Sequence, residues 1–424
     1  MIAGEFLEEF PSIIWQPASK INKNLGDQIM KNFHPSIPGV FFVVILVVVA
    51  FAANAVAQTV SVNNVEDLYA AVNDPANAGS TVVLASGVYM LSANDPNGVA
   101  RPNKGRLDLL ENMSLLGVVG DRSAVVIDAS NLPASSFTGS PGPIAAIRMG
   151  RGANSIQWLT VRNAANGQAN IDVGLQEPGT AYVTIAHVES YGSARGLNVL
   201  NFGSGASGET IEVDIVDNDF HDNVLGVGEG MRVGNFQGAT GATINARIVG
   251  NRSWGNIQGR LLVNNRAINS TVNVFSSGNR FFNNGLGTAI IGALSSNATS
   301  ANGNTINFEG HGDQFVDNNM PTILDVGGLV VLGGENISIP NGTNNNTVNV
   351  SLWGCRMADN NTHDLVGIGA RSNPESIGPP GVNNHVTITI QDNGSSNGRW
   401  NPVEEFANSV PFDVNATNSV TVIR

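Results

Sequence analysis

A fifteen-residue pattern recurs eight times between Asn154 and Gly398, from NSIQWLTVRNAANGQ at Asn154 to NHVTITIQDNGSSNG at Asn384. Each copy is anchored on its third residue: Ile156, Val183, Ile211, Ile244, Val272, Ile306, Val348 and Val386, spaced 27 to 42 residues apart. Self-similarity at this period points to a solenoid, because a unit so short buries its apolar face only against its neighbours. Within a copy, apolar and polar residues alternate, as in Ile211, Val213, Ile215 or Val348, Val350, Leu352. That is the period of a strand, not of a helix.

Seven residues beyond the anchors stand Asn163, Ser190, Asn218, Asn251, Asn279, Asp313, Cys355 and Asn393. Asn accepts the left-handed backbone of a tight corner, and its amide both donates and accepts, so an asparagine ladder between successive coils is expected. Two positions further, Phe220, Phe281, Phe315 and Met357 are expected to stack in the core, and Trp158 is expected there too. A second apolar segment follows each copy, including Leu197–Leu200, Met231–Val233, Leu261–Val263 and Leu329–Leu332, so each coil carries about three short strands. Composition agrees: 49 Gly among 424 residues suit many corners, and 42% hydrophobic content supplies a core. The lone Cys355 allows no internal disulfide, so packing and hydrogen bonds must hold the chain.

Over nearly all of residues 58–424 this pattern resembles the right-handed parallel β-helix proteins of the pectin lyase-like superfamily. The likeness rests on the internal Asn column, the eight stacked windows and an opening of Val65–Val72 followed by Thr81–Tyr89. It implies an all-β solenoid of three-strand coils, with a short N-terminal helix, N-capped by Asn64, plugging the first coil. Met113–Gly117 and Ala124–Ile127 would make the first full coil. Trp400, Phe406 and Phe412, with Pro402 and Pro411, would cover the last one irregularly. One domain is expected over 58–424, capped at 58–90 and 399–424.

Residues 40–53, VFFVVILVVVAFAA, form an uncharged apolar run short for a bilayer span and followed by Ala55-Val56-Ala57. This reads as a secretory signal cleaved after Ala57, with Met30 a better start than Met1. The formal charge is -13, and Lys104 is the only lysine beyond residue 57. No basic face exists to neutralise phosphates, which argues against nucleic acid and against an anionic membrane as partner. A secreted or cell-surface monomer is expected.

In the superfamily, substrate clefts usually run along the sheet built from the Leu197-type segments. Its outward or flanking residues here include Asn198, Glu229, Arg232, Arg260, Asn264, Arg266, Asp325 and Arg371. A uronate lyase needs Ca²⁺ held by acidic residues, or a basic side chain, to neutralise the sugar carboxylate, and a base for the α-proton. Arg232 and Arg260 would serve as clamp and base and Glu229 as ligand or partner, with Asn198, Asn264, Arg266 and Asp325 contacting substrate. The plain alternative makes Glu229 and Arg232 a solvated surface pair.

Other signatures are incomplete. Gly310-His311-Gly312 matches one element of polygalacturonase-type hydrolases without the accompanying aspartates, and the Arg-x-Pro-x-x-Arg pattern of classical pectate lyases is absent. A charged column one residue past the Asn corner, Tyr191, Asp219, Arg252, Arg280, Gln314 and Arg356, reads as surface ion pairing. The expectation is a β-helix that binds extracellular acidic polysaccharide along one sheet, with β-elimination as the reaction if it cleaves. The rival expectation is a non-catalytic structural or adhesive surface solenoid.

Overall fold

The structure is a computed structural model that describes residues 58–138, 145–203, 207–257, 261–285, 289–294, 301–318, 326–336, 343–358, 363–372, 381–391, 404–408 and 417–423, except 166 and 168. The signal-like segment lies outside these residues. Among them, no helix is long and apolar enough to cross a membrane.

The described strands form a 12-stranded, a 10-stranded and a 9-stranded sheet. A coil visits all three in turn: Thr180–Ala186 in the 12-stranded, Glu189–Tyr191 in the 9-stranded and Arg195–Asn201 in the 10-stranded sheet. Thr210–Val216 then returns to the first, and the pairings between described strands of successive coils, such as Ile211↔Ile244↔Val272↔Ile306↔Val348↔Val386, are parallel. This is a right-handed parallel β-helix. Its core is a file of aliphatic residues with Phe220, Phe281, Phe315 and Met357 buried in it. The Phe281 and Phe315 rings stack at 5.1 Å.

At one corner of successive coils a left-handed residue is followed by a buried one. At the corner between the 12- and 9-stranded sheets the left-handed residues are Trp158, His187, Asp217, Gly250, Gly278, Gly312 and Gly354. The residues that follow include Asn218, Asn251 and Asn279, so the amide sits beside the strained position and not on it. Asn218 donates through its backbone N and Nδ2 to Asn251 Oδ1 at 2.9 Å, and Asn251 does the same to Asn279. Two further buried rows occupy the other corners, Asn223–Asn256–Asn284–Asn318 and Asn304–Asn346–Asn384–Asn418. They satisfy corner amides that the ladders of the sheets leave unpaired.

Several expectations need correction. Register pairs Ile156 with Ile185, and Val183 with Val213, so the first two copies are slipped against the rest. Val188, and not Ser190, precedes Asn218 in its row, while Asn163 is the left-handed residue of a different corner. A slip by an even number of residues keeps the apolar side inward, so alternation alone does not detect it. Trp158 is a half-exposed corner residue stacked on His187 at 4.0 Å, and Leu159 takes the core place.

The solenoid also starts and finishes beyond the expected points. Thr59–Val62 pairs with Thr81–Leu84, ahead of the coil expected at Met113. Phe406 lies on the strand Glu404–Asn408 of the 10-stranded sheet, and Ser419–Ile423 extends the 12-stranded one. Trp400, Pro402, Pro411 and Phe412 lie outside the described residues. At the N-terminal end, helix α1 (Val65–Asn73) buries Leu68, Tyr69, Ala71 and Val72. Asn64 caps it, accepting from Asp67 N at 2.9 Å.

Candidate functional site

Strand alternation determines which residues of the 10-stranded sheet turn away from the core. Leu197, Val199, Met231, Val233, Leu261 and Val263 point inward, so Asn198, Arg232 and Leu262 lie on the opposite face in one row. Register continues that row back through Asp172 and Arg148 to Asp108. Leu200, Gly234 and Asn264 form a parallel row beside it.

Arg195 and Glu229 join this face because alternation breaks at glycine. A Cβ on Gly196 would lie 2.8 Å from the Phe220 ring and 2.7 Å from Gly230 O, so residue 196 faces inward just before the inward Leu197. The same break at Gly230 and Met231 places Glu229 and Arg232 together, three residues apart. Glu229 accepts from Arg195 Nε at 2.5 Å and from Arg232 NH2 at 3.0 Å. The guanidinium of Arg232 also lies 5.8 Å from the Phe236 ring centroid, and that of Arg266 lies 5.1 Å from it. Phe236 itself stacks on Phe202 at 5.4 Å.

Asn198, Asn264, Glu229 and Arg232 are buried while Phe202, Phe236 and Arg266 are half-buried, so Glu229 and Arg232 are not a solvated surface pair. Exposure is 0% for Asn198 and Asn264, 1% for Glu229 and 6% for Arg232. Arg260 and Asp325 lie outside the described residues, and Arg371 is on the strand His363–Ser372. Sequence reasoning missed Arg148, Asp172, Arg195, Phe202 and Phe236. The phenylalanines had a signal: each stands three residues beyond a core valine, Val199 or Val233, in adjacent coils.

Burial shapes the electrostatics. It pushes the Asp172 carboxyl up to about 7, against the pull of Arg148, whose Nε is 3.9 Å away. It pulls the Arg232 guanidinium down to about 9, against Glu229, with Arg195 and Arg266 adding repulsion. Both oxygens of Asp172, both amide atoms of Asn198 and Asn264, and Arg232 Nε lack a hydrogen-bond partner among the described residues. An unpaired buried polar atom costs about 1–3 kcal/mol, so such a cluster is unusual in a purely structural face. No three His, Cys, Asp or Glu gather around a metal position among the described residues.

No protein-family model matches the chain, and no curated protein matches it. Among solved structures it is similar to an alginate lyase from Paenibacillus sp. str. FPU-7, at 15% identity and a TM-score of 0.21, covering 70% of this chain and 95% of that one. It is also similar to tailspike protein 3 of bacteriophage CBA120, at 11% identity and a TM-score of 0.20, covering 96% of this chain and 68% of that one. Likeness at this level extends to fold alone, and the function is argued from the residues.

The remaining motifs sit elsewhere. His311 of the Gly-His-Gly tripeptide is on the 12-stranded sheet, with Nε2 2.6 Å from Glu309 Oε1. The charged column is headed by Glu189, not Tyr191, and continues through Asp219, Arg252 and Arg280. Asp219 binds Arg252 at 2.5 Å and Arg122 at 3.3 Å, a structural pairing that relieves the arginine stack.

Proposed function

We propose that the protein is a secreted β-helix that binds acidic polysaccharide along the outer face of its 10-stranded sheet. The observation that carries this is the row Asp172, Asn198 and Arg232, on three consecutive strands, in which both Asp172 oxygens, both Asn198 amide atoms and Arg232 Nε lack a hydrogen-bond partner among the described residues. The half-buried Arg148, Phe202, Phe236 and Arg266 on or beside this row offer the accessible contacts of the face, on strands about 4.8 Å apart along the axis. Arg148, Arg195, Arg232 and Arg266 gather on or beside this face of a chain whose formal charge is -13. Guanidinium groups suit carboxylates in a fixed, two-pronged geometry.

The same residues provide the parts for β-elimination. Arg195 and Arg266 would neutralise the uronate carboxylate, and Arg232, whose pKa burial lowers to about 9, would take the proton α to it once deprotonated at alkaline pH. The electron pair forms the new C=C bond as the glycosidic C–O bond breaks, and the departing oxygen takes a proton from solvent. Ca²⁺ would share the neutralising role if residues outside the described set supply its ligands.

The closed Arg195–Glu229–Arg232 contact favours a second reading, in which these residues only brace a rigid, non-catalytic solenoid. Retention on immobilised polygalacturonate and alginate, with ultraviolet absorbance of the unsaturated product read with and without Ca²⁺, separates the readings. Retention that weakens in Arg232→Ala at unchanged melting temperature supports binding, and absorbance adds cleavage. No retention on any uronate polymer would leave the structural solenoid.

A further inference from the structure

The 12-stranded sheet carries a second surface, of different chemistry, that the proposed uronate site does not use. A groove of about 1040 Å³ runs across its outer face from Ser114 to Trp353. Register aligns one outward row as Tyr182, Glu212, Asn245, Asn273, Asn307 and Asn349. The amides bond head to tail: Asn349 Nδ2 donates to Asn307 Oδ1 at 2.9 Å, Asn307 to Asn273 at 2.8 Å, Asn273 to Asn245 at 2.8 Å and Asn245 to Glu212 at 2.7 Å. Each link uses one amide hydrogen and one lone pair, so every coil retains a second donor and acceptor facing the groove.

Aromatic rings border this amide row. Tyr182, Phe275 and Trp353 are 58%, 41% and 42% exposed, although a ring of that size ordinarily reaches the core. Phe275, His311 and Trp353 follow one another along the axis, the first pair tilted at a centroid separation of 5.3 Å and the second stacked at 5.6 Å. The groove's charges are acidic: Glu212, Asp214 and Glu309 line it, and its one arginine among the lining residues, Arg247, is 3.3 Å from Asp214.

We infer that this groove binds a neutral, linear polysaccharide lying along the helix axis. A pyranose ring has an apolar face that covers an aromatic side chain and a rim of hydroxyls that both donate and accept, which matches a ring file beside a row of amides. The acidic lining repels polyuronates, so the two sheets select for different glycans, one uncharged and one acidic. Hydroxyl-only chains meet no such repulsion, and the amide row offers them the same contacts in every coil.

Titration of the full chain by calorimetry tests this with three hexamers: a neutral β-glucan, a chitosan and an oligogalacturonate. The expected result is binding of the neutral hexamer, weakened about tenfold by Trp353→Ala and by Phe275→Ala. Arg232→Ala leaves that binding unchanged, which separates it from the uronate site. Binding of the chitosan alone, or neutral-hexamer binding that both aromatic variants leave intact, would overturn the inference. Because both rings are exposed, the variants are expected to melt as the parent does, and Asn273→Asp provides a second probe of the amide row.

Discussion

Asp172 and Arg232 occupy the same outer row of the 10-stranded sheet, two strands apart with Asn198 between them, and burial drives both toward neutrality. A carboxyl near 7 and a guanidinium near 9 are far from their solution behaviour, and perturbations of this kind concentrate where proteins bind or transform ligands.

Asp172 gives stability a defined pH dependence. Its folded pKa, about 7, lies above the unfolded value near 3.8, so the native state holds the proton more tightly. The contribution is therefore fully present below about pH 4 and is lost as pH rises through 7. Asp172→Asn should raise the denaturation midpoint at pH 8, by a few kcal/mol at most, and flatten the profile between pH 4 and 7. An unchanged profile would show that the carboxylate is solvated.

The buried Asn rows and the exposed one should differ sharply in energetic weight. Asn251→Ala removes the acceptor for Asn218 N and Nδ2 inside the corner and should cost about 2–4 kcal/mol in urea denaturation. Asn273→Ala in the half-exposed outer row should cost under about 1 kcal/mol. Equal losses would mean that the outer amides are structural and not a contact surface.

How much of this was readable beforehand depends on what each signal fixes. Recurrence and alternation identify coils and strands, and the amide column locates a corner from Asn218 onward. They do not fix register by even steps, so Asn163 and Ser190 align with Asn218 in the sequence but not in the corner row. They also do not reveal that the outward face of the Leu197-type sheet is buried, because polar Asn198 and Arg232 read as solvent-facing by type alone. The break at Gly196 and Gly230 that gathers Arg195, Glu229 and Arg232 depends on Phe220 and Ser253 from other strands. The Asn273 row was hidden within the alternation as ordinary polar residues.

Asp219 should matter most at low salt. It accepts from Arg252 through both oxygens and lies near Arg122, while Arg280 stands on the next coil. Asp219→Asn should lower the melting midpoint by an amount equivalent to about 1 kcal/mol, with the loss shrinking as sodium chloride screens the exposed arginines. A loss that grows with salt would contradict this pairing.

His221 stacks between Tyr191 and Trp254 at 4.9 and 4.4 Å, with Glu189 and Asp222 at its two nitrogens. Against the opposing effect of burial, these carboxylates raise its pKa above 6.5. The resulting stability is present below the unfolded pKa and is lost as pH rises through the folded value. Tryptophan fluorescence should titrate in that window in the parent and not in His221→Gln.

The corner amides bind each turn only to the turns directly before and after it. Pulled from its two ends, such a molecule should not rupture everywhere at once. It should pay out chain in steps of one turn apiece, so an anchored copy would yield gradually under shear and re-wind on whatever stack remained.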